Sequence, residues 1–92
     1  MNSAREILYM EKDWRNHIVS TPDTLCGKPR IKGTRLSVGL ILGYLASGSS
    51  PEEIMREYDG LKQEEIVACL QYARDLVDSE FARQKRRASR KT

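Results

Sequence analysis

The sequence predicts a mainly α fold, in which a short N-terminal β-ribbon precedes three helices arranged as a helix-turn-helix bundle. Two observations predict it. Apolar residues recur at helical spacing between residues 38 and 81, and the helix-boundary residues agree with that spacing. Two short segments with β-branched residues flank a loop rich in Gly and Pro before the helices. A chain of 92 residues forms one domain, with little core to enclose a deep active site.

The ribbon is predicted from residues 14–20, which alternate large and polar side chains, and from residues 35–38, which form the second strand. The loop between the two strands contains Gly27, Pro29 and Gly33. A two-stranded ribbon is marginal by itself in water, so it must pack on the helices or pair with a second copy of the chain. The second option suggests a homodimer.

Boundary residues define the first two helices. Ser37 is suited to cap the first helix, and Gly48 is suited to end it in a left-handed conformation. Ser50 and Glu53 form a predicted capping box at the start of the second helix, which stops at Asp59-Gly60. In the first helix, Gly39 and Gly43 are poor helix formers and mark a position of close helix approach.

The third helix starts near Lys62 and runs past Ala73, and the short turn at Gly60 joins it to the second helix as in a helix-turn-helix. Cys69 lies in its apolar stripe and is a predicted core residue. The stripe consists of Ile66, Cys69, Leu70, Ala73, Leu76, Val77 and Phe81. Acids at positions 64 and 65 argue against simple insertion of its first turn into a DNA major groove. Farther along, Gln71 and Arg74 are candidates for partner contact, with solvated surface as the alternative.

The net charge of +3 is unevenly distributed, which separates a tail (residues 83–92) from the rest of the chain. The rest consists of an N-terminal extension (residues 1–13) and a domain (residues 14–82). Residues 1–82 carry ten Lys/Arg and thirteen Asp/Glu, whereas the tail carries the other six cations and no acid. Mutual repulsion predicts a frayed helix end and then disorder. The tail either solubilises the protein or contacts a polyanion or an acidic protein surface through Arg83, Lys85, Arg86, Arg87, Arg90 and Lys91.

A second basic segment lies in the loop of the ribbon. Lys28, Arg30 and Lys32 alternate, so an extended chain projects them to one side, with Arg35 close by; together they form a candidate anion-binding surface. In the architectural alternative, Gly33 supplies a positive φ, Thr34 bonds the local backbone and Arg35 pairs with a carboxylate of the helical body.

Several function classes find no support in the sequence. No apolar run approaches the length of a membrane span, and the chain is expected to be a soluble cytoplasmic protein. Cys26 and Cys69 fit neither a zinc-site spacing nor a disulfide framework and are expected to be free thiols. His17, the only histidine, has no nucleophile in a recognisable motif beside it. We therefore expect neither enzyme activity nor a cofactor or metal site.

The stretch Gly-Lys-Pro-Arg-Ile-Lys-Gly-Thr-Arg at residues 27–35, together with Pro-Glu-Glu-Ile at residues 51–54, resembles the family known as domain of unknown function 433 (DUF433). The resemblance runs from about Trp14 to Tyr72. It implies a homeodomain-like or winged-helix-like trihelical fold behind a Gly-Lys-Pro-x-Ile-x-Gly-Thr-Arg turn. The positions that carry this architecture are Gly27, Pro29, Gly33, Thr34, Gly48 and Gly60.

The resemblance also implies a function. DUF433 proteins are regarded as antitoxins of type II toxin–antitoxin pairs, which implies a small PIN-like nuclease toxin as partner and repression of the protein's own operon through the trihelical body. An arginine of the tail would pair with a carboxylate of the toxin's metal site. The alternatives are a stand-alone DNA-binding regulator and a non-catalytic protein-interaction module. Lys62 departs from the family pattern, because it stands where a Ser or Thr would cap the third helix.

Overall fold

The structure is a computed structural model that describes residues 13–90, with side chains described through residue 87. The fold class predicted from the sequence is confirmed, since the protein is mainly helical with a short two-stranded antiparallel sheet near its N-terminus. Most of the predicted N-terminal extension and Lys91 lie outside the described residues. The elements are 3-10 turns at Trp14–Asn16 and Leu25–Gly27, strands β1 (Ile18–Val19) and β2 (Arg30–Ile31), and helices α1 (Val38–Ala46), α2 (Pro51–Glu57) and α3 (Gln63–Arg90).

The β-ribbon is shorter than predicted and uses a different second strand. Strands β1 and β2 pair antiparallel, with Ile18 opposite Ile31. The prediction of a strand at residues 35–38 is wrong, because only Ser37 of this segment forms a bridge, to Arg30. Ser37 caps α1 instead, its side chain accepting a hydrogen bond from the Leu40 N–H at 3.0 Å. A residue used as an N-cap starts the helix and so ends the extended segment.

The ribbon packs on the helices of its own chain. Ile18 and Ile31 are 5% and 0% exposed, and they lie in one core with Ile41 of α1, Ile54 of α2 and Ile66 of α3. Burial of these side chains is the main force that holds the layers together, at about 2 kcal/mol for each large apolar residue. The ribbon therefore does not need a second copy of the chain for support, and this argument for a homodimer fails.

The predicted starts of α1 and α2 and the predicted end of α1 are confirmed, whereas α2 ends at Glu57, before the predicted stop at Asp59-Gly60. Gly48 follows α1 with a φ of 98°, in the left-handed region that glycine adopts without strain. At the start of α2 the Glu53 N–H donates to the Ser50 hydroxyl at 3.2 Å, and the Ser50 N–H donates to the Glu53 carboxylate at 2.8 Å. At the start of α3, where a Ser or Thr cap is missing, the Glu65 carboxylate accepts from the Lys62 N–H at 3.0 Å.

Two predictions about small side chains have opposite outcomes. Cys69 is 0% exposed and lies in the core, as predicted. Gly39 and Gly43 were predicted to mark close helix approach, and this is wrong within the chain: both are exposed, and a Cβ added at either would meet no atom within 4 Å. Both glycines leave the backbone of α1 open to solvent.

Helix α3 is longer than predicted. It has 28 residues and continues to Arg90, so the backbone is helical over residues 83–90, where the sequence predicts a frayed helix end and then disorder. This segment contains no Gly or Pro and consists mainly of good helix formers. Glu80 pairs with Arg83 at 3.2 Å and accepts from Gln84 at 3.4 Å, and cations near a helix C-terminus are favoured by its dipole. No helix within the described residues is long and apolar enough to cross a membrane.

Candidate partner-binding surface

Helix α3 consists of two parts with different surroundings, which we call the packed half (residues 63–75) and the projecting half (residues 76–90). In the packed half, Ile66, Ala68 and Cys69 are at most 1% exposed. In the projecting half every described side chain, from residue 76 to residue 87, is exposed. At about 1.5 Å per residue, the projecting half extends roughly 22 Å along the helix axis.

Trp14 marks the boundary between the halves. Its indole N–H donates to the Asp75 carboxylate at 2.7 Å, and its ring meets Tyr72 edge-to-face with centroids 4.8 Å apart. The hydrogen bond from Trp14 holds the pKa of the Asp75 carboxyl below its ordinary value; the charges of Arg74 and Arg15 act in the same direction, and partial burial opposes them. Sequence reasoning assigned Trp14 to a strand and missed this contact, because no local pattern joins residues 61 positions apart.

The projecting half carries four described cations of the predicted tail, namely Arg83, Lys85, Arg86 and Arg87, and all are exposed. Arg83 pairs with Glu80, but both side chains are about half exposed, so the pair adds little stability and exchanges readily for another partner. Arg83 and Arg86 are three residues apart and therefore share one face of the helix. The backbone of Arg90 continues this helix; its side chain lies outside the described residues.

The same part of the chain exposes large apolar side chains. Leu76, Val77 and Phe81 are 58%, 67% and 65% exposed, and Leu70 in the packed half is 48% exposed. The sequence predicts all four in one buried stripe with Cys69. This is wrong for Leu76, Val77 and Phe81 because α3 leaves the bundle after Asp75, and for Leu70 because it lies on the outer face of the packed half. Several exposed apolar side chains close together on one element mark an interaction surface in a protein that folds alone.

In the ribbon loop, the structure separates Arg30 from the other predicted cations. The Arg30 guanidinium donates to the Thr34 carbonyl at 3.0 Å and to the Thr21 hydroxyl at 3.1 Å, so it holds the loop together and is partly buried. Its Nε has no hydrogen-bond partner among the described residues. Lys28 and Lys32 are exposed and open to a ligand.

The architectural alternative for the loop is confirmed for Gly33 and Thr34 but not for Arg35. Gly33 has a φ of 81°, and the Thr34 hydroxyl donates to the Ile31 carbonyl at 2.8 Å while accepting from the Leu36 N–H at 3.0 Å. Arg35 is exposed, and no described carboxylate lies within ion-pair distance of it. Arg35 therefore remains available to a partner, together with Lys28 and Lys32.

The two candidates in the packed half differ. Gln71 is only 7% exposed, so it is not the solvated surface residue that the sequence suggested. Arg74 is exposed and lies 3.4 Å from the Asp75 carboxylate. With Val67 and Leu70, both residues line a shallow groove of about 320 Å³ along the outer face of α3. A larger groove of about 420 Å³ follows the exposed glycines of α1 and is lined in part by Leu40 and Tyr44.

Groups suited to catalysis are not brought together within residues 13–87. No three His, Cys, Asp or Glu side chains in this part of the chain cluster as metal ligands. His17 is half-buried beside β1. Burial, with a smaller contribution from the charge of Glu65, raises the pKa of the Cys69 thiol to about 12, which keeps it protonated and inert at neutral pH.

Comparison with known proteins decides the family. The family model described as protein of unknown function (DUF433) matches residues 18–73. The chain belongs to the DUF433 family. A crystal structure of a DUF433 member from Anabaena variabilis is similar to this chain, with a TM-score of 0.63 and 27% identity, covering 88% of this chain and 82% of that one. No curated protein matches the chain at a significant level.

The DUF433 match covers the ribbon, α1, α2 and most of the packed half of α3. It ends at Ala73, so the whole projecting half lies beyond the matched residues. The family resemblance proposed from the loop motif is thereby confirmed. The exposed cations and apolar residues of the projecting half lie outside the residues that the family model matches.

Proposed function

We propose that this DUF433 protein is a cytoplasmic, non-catalytic antitoxin that binds and neutralises a small PIN-like nuclease toxin through the projecting half of α3. One observation carries the proposal: the helix extends beyond the core and presents four exposed cations, Arg83, Lys85, Arg86 and Arg87. Of these four, only Arg83 has an ion-pair partner among the described side chains, the exposed Glu80. A nuclease of this class holds its metal ions on clustered carboxylates, and an acidic cleft is the surface that such a cationic helix complements.

The inhibitory step is electrostatic. A guanidinium presents a planar fork of donors that matches a carboxylate in a bidentate pair. The paired carboxylate can then no longer bind the metal ion. Arg83 and Arg86 share a face, so two guanidinium groups enter an acidic cleft together. Because this segment is already helical, binding orders fewer residues than binding of a disordered arm would, and less affinity is lost to chain entropy.

The first experiment recovers the toxin. The tagged full chain is purified from its native cells, and the co-purifying proteins are identified by mass spectrometry and assayed for nuclease activity. Recovery of one small nuclease in stoichiometric amount, inhibited by the chain, is the expected result. Recovery of DNA without a nuclease, or of a protein without nuclease activity, contradicts the antitoxin proposal.

The second experiment locates the contact with two variants matched in type of change. The tail variant replaces Arg83, Lys85, Arg86 and Arg87 by Ala, and the loop variant replaces Lys28, Lys32 and Arg35 by Ala. We expect the tail variant to lose at least a hundredfold in affinity for the recovered nuclease, while the loop variant keeps it. Full inhibition by the tail variant contradicts the mechanism.

A second candidate function is binding of operator DNA by the DUF433 body, either as autoregulation or as a stand-alone activity. The observation that favours it is the exposure of Lys28, Lys32 and Arg35, for which no ion-pair partner occurs among the described side chains. Against it, Glu64 is exposed in the first turn of α3, where a recognition helix meets phosphates.

DNA binding is tested by the salt dependence of affinity for a duplex from the protein's own promoter. Each phosphate neutralised adds about −0.9 to the slope of log affinity against log salt. The loop variant is expected to make the slope less steep by two to three of these increments of about 0.9, and the tail variant is expected to leave the slope unchanged. If the tail variant makes the slope less steep and the loop variant does not, DNA is bound by the projecting half of α3 and not by the DUF433 body.

A further inference from the structure

An apolar stripe runs along the outer face of α3 from the packed half into the projecting half, and none of the described residues covers it. Leu70, Val77 and Phe81 follow one another at spacings of seven and four residues, which places them on one face of a helix with 3.6 residues per turn. They are 48%, 67% and 65% exposed. Leu76 is 58% exposed but lies about 100° around the helix from Val77, off this face.

A groove lies on the same face of α3, nearer its N-terminal end. Val67, Leu70, Gln71 and Arg74 line it, and its volume of about 320 Å³ accommodates an aromatic ring. Phe81 is eleven residues beyond Leu70, or roughly 16 Å along the helix axis. Phe81 therefore cannot fill the groove of its own chain, but Phe81 of another chain lying alongside α3 can.

The charge distribution along α3 identifies that other chain and its direction. Residues 63–80 carry five acids and one cation, whereas residues 83–87 carry four cations and no acid. A parallel neighbour of the same sequence would set like charges side by side. An antiparallel neighbour sets the basic end of each helix beside the acidic part of the other, and Lys85, four residues beyond Phe81, is the cation of that end nearest the stripe.

We infer that α3 pairs with α3 of a second copy of this chain, antiparallel, with Phe81 of each copy seated against Leu70 in the groove of the other. In this register Arg74 of one copy lies beside Asp78 of the other, since both flank the same side of the stripe. The interface thus has an apolar centre and two symmetric charge pairs at its flank, as a two-fold contact demands.

The pairing is compatible with the proposed function but does not depend on it. Arg83 lies six residues beyond Val77, and Arg86 lies five residues beyond Phe81. Each arginine is therefore about 120–140° around the helix from the stripe. They remain exposed when the apolar stripe is covered, so a dimer would present two cationic faces to acidic partners. The dimer is measured on the purified chain without any nuclease, so its failure is distinguishable from failure of the antitoxin proposal.

The first test is the molar mass of the full chain, by sedimentation equilibrium between about 1 μM and 500 μM. The wild type is expected at twice the monomer mass of 10.5 kDa. Val77→Glu and Phe81→Glu are expected to be monomeric over the same range, with unchanged circular dichroism because both positions are exposed. Leu76→Glu is the matched control, equally exposed but off the stripe, and is expected to remain dimeric.

Two results would overturn the inference. A wild-type chain that is monomeric throughout means that another protein, or none, covers the stripe. Dimers that survive Val77→Glu and Phe81→Glu, or that are lost with Leu76→Glu, place the contact elsewhere.

The second test fixes direction and register by exchange of charges. Arg74→Glu and Asp78→Arg each create two like-charge contacts in the antiparallel dimer and are expected to weaken it at least tenfold. The double variant Arg74→Glu/Asp78→Arg restores opposite charges and is expected to recover most of the affinity. Arg74 and Asp78 are also four residues apart in one helix, so equal circular dichroism signals of the single and double variants are required to assign the recovery to the dimer contact. A double variant that dimerises no better than the single variants contradicts this register.

Discussion

The two halves of α3 belong to one helix but obey different constraints. In the packed half, apolar residues meet the ribbon and the other helices, and Ile66 and Cys69 are almost completely removed from water. In the projecting half, equally apolar residues such as Val77 and Phe81 are about two-thirds exposed. The core therefore ends at the contact between Trp14 and Asp75. Beyond it, α3 is stabilised by the helix propensity of its residues and by the interaction of its cations with the helix dipole.

The largest expected difference between the halves is in thiol reactivity. Cys69 has a pKa of about 12 against about 8.5 for an ordinary thiol, so its thiolate fraction at pH 7.5 is about a thousandfold lower. In a Cys26→Ser background, Cys69 should react with a disulfide reagent at least a hundredfold more slowly than the thiol introduced by Leu76→Cys, which is exposed and lies off the proposed dimer stripe. Rates are followed by absorbance, and comparable rates would mean that the packed half opens frequently.

The next effect is on global stability. Ile66→Ala should lower the free energy of unfolding by about 3 kcal/mol, because it removes three buried carbons and leaves a cavity. Leu76→Ala removes the same number of carbons from the projecting half and should change it by less than about 0.5 kcal/mol. Urea unfolding followed by circular dichroism measures both, and equal losses would show that the core extends past Asp75.

The boundary itself is tested at Trp14. Trp14→Ala should cost about 2 kcal/mol through lost burial on α3. Its contact with Asp75 also makes stability depend on pH: the Asp75 pKa is lowered in the folded protein, so the contribution is present above about pH 4 and is lost as the pH falls through the lower folded value. In urea unfolding between pH 6 and pH 2, Trp14→Phe should reduce this acid-dependent loss. An unchanged pH profile would show that the hydrogen bond has no energetic role.

The smallest effect is expected at the end of the projecting half. Deletion of residues 83–92 should change the free energy of unfolding of the remaining domain by less than about 0.5 kcal/mol, since no described side chain there is buried. The helical circular dichroism signal should fall in proportion to the residues removed. A large loss of stability would contradict the separation of the two halves, and loss of nuclease inhibition alone would support it.

Much of the DUF433 body could be predicted from residues that act locally. Ser37, Ser50 and Glu53 cap their helices in the structure as their positions in the sequence predict, and Gly33 and Gly48 adopt the positive φ for which glycine is suited. These interactions join residues at most a few positions apart. The loop motif at residues 27–35 likewise identified the family that the comparison shows.

The candidate surface was less predictable. Periodicity assigned Leu70, Val77 and Phe81 to the core stripe with Cys69, because apolar spacing does not show where the bundle ends. Charge density predicted a frayed helix end and then disorder from residue 83, whereas the backbone is helical to Arg90. Repulsion among cations is screened by salt, and this segment consists mainly of good helix formers. Arg30 was grouped with exposed cations although it bonds Thr21 and Thr34.

The order of the elements, the starts of the first two helices and the basic character of the last residues are visible in the sequence, since each depends on neighbouring side chains and backbone. The division of α3 into core and surface depends on tertiary packing. That division depends on where Trp14 meets Tyr72 and Asp75, some 60 residues later in the chain. Contacts between distant residues follow from the packing of the whole chain, and the surface proposed to bind a partner is what that packing leaves exposed.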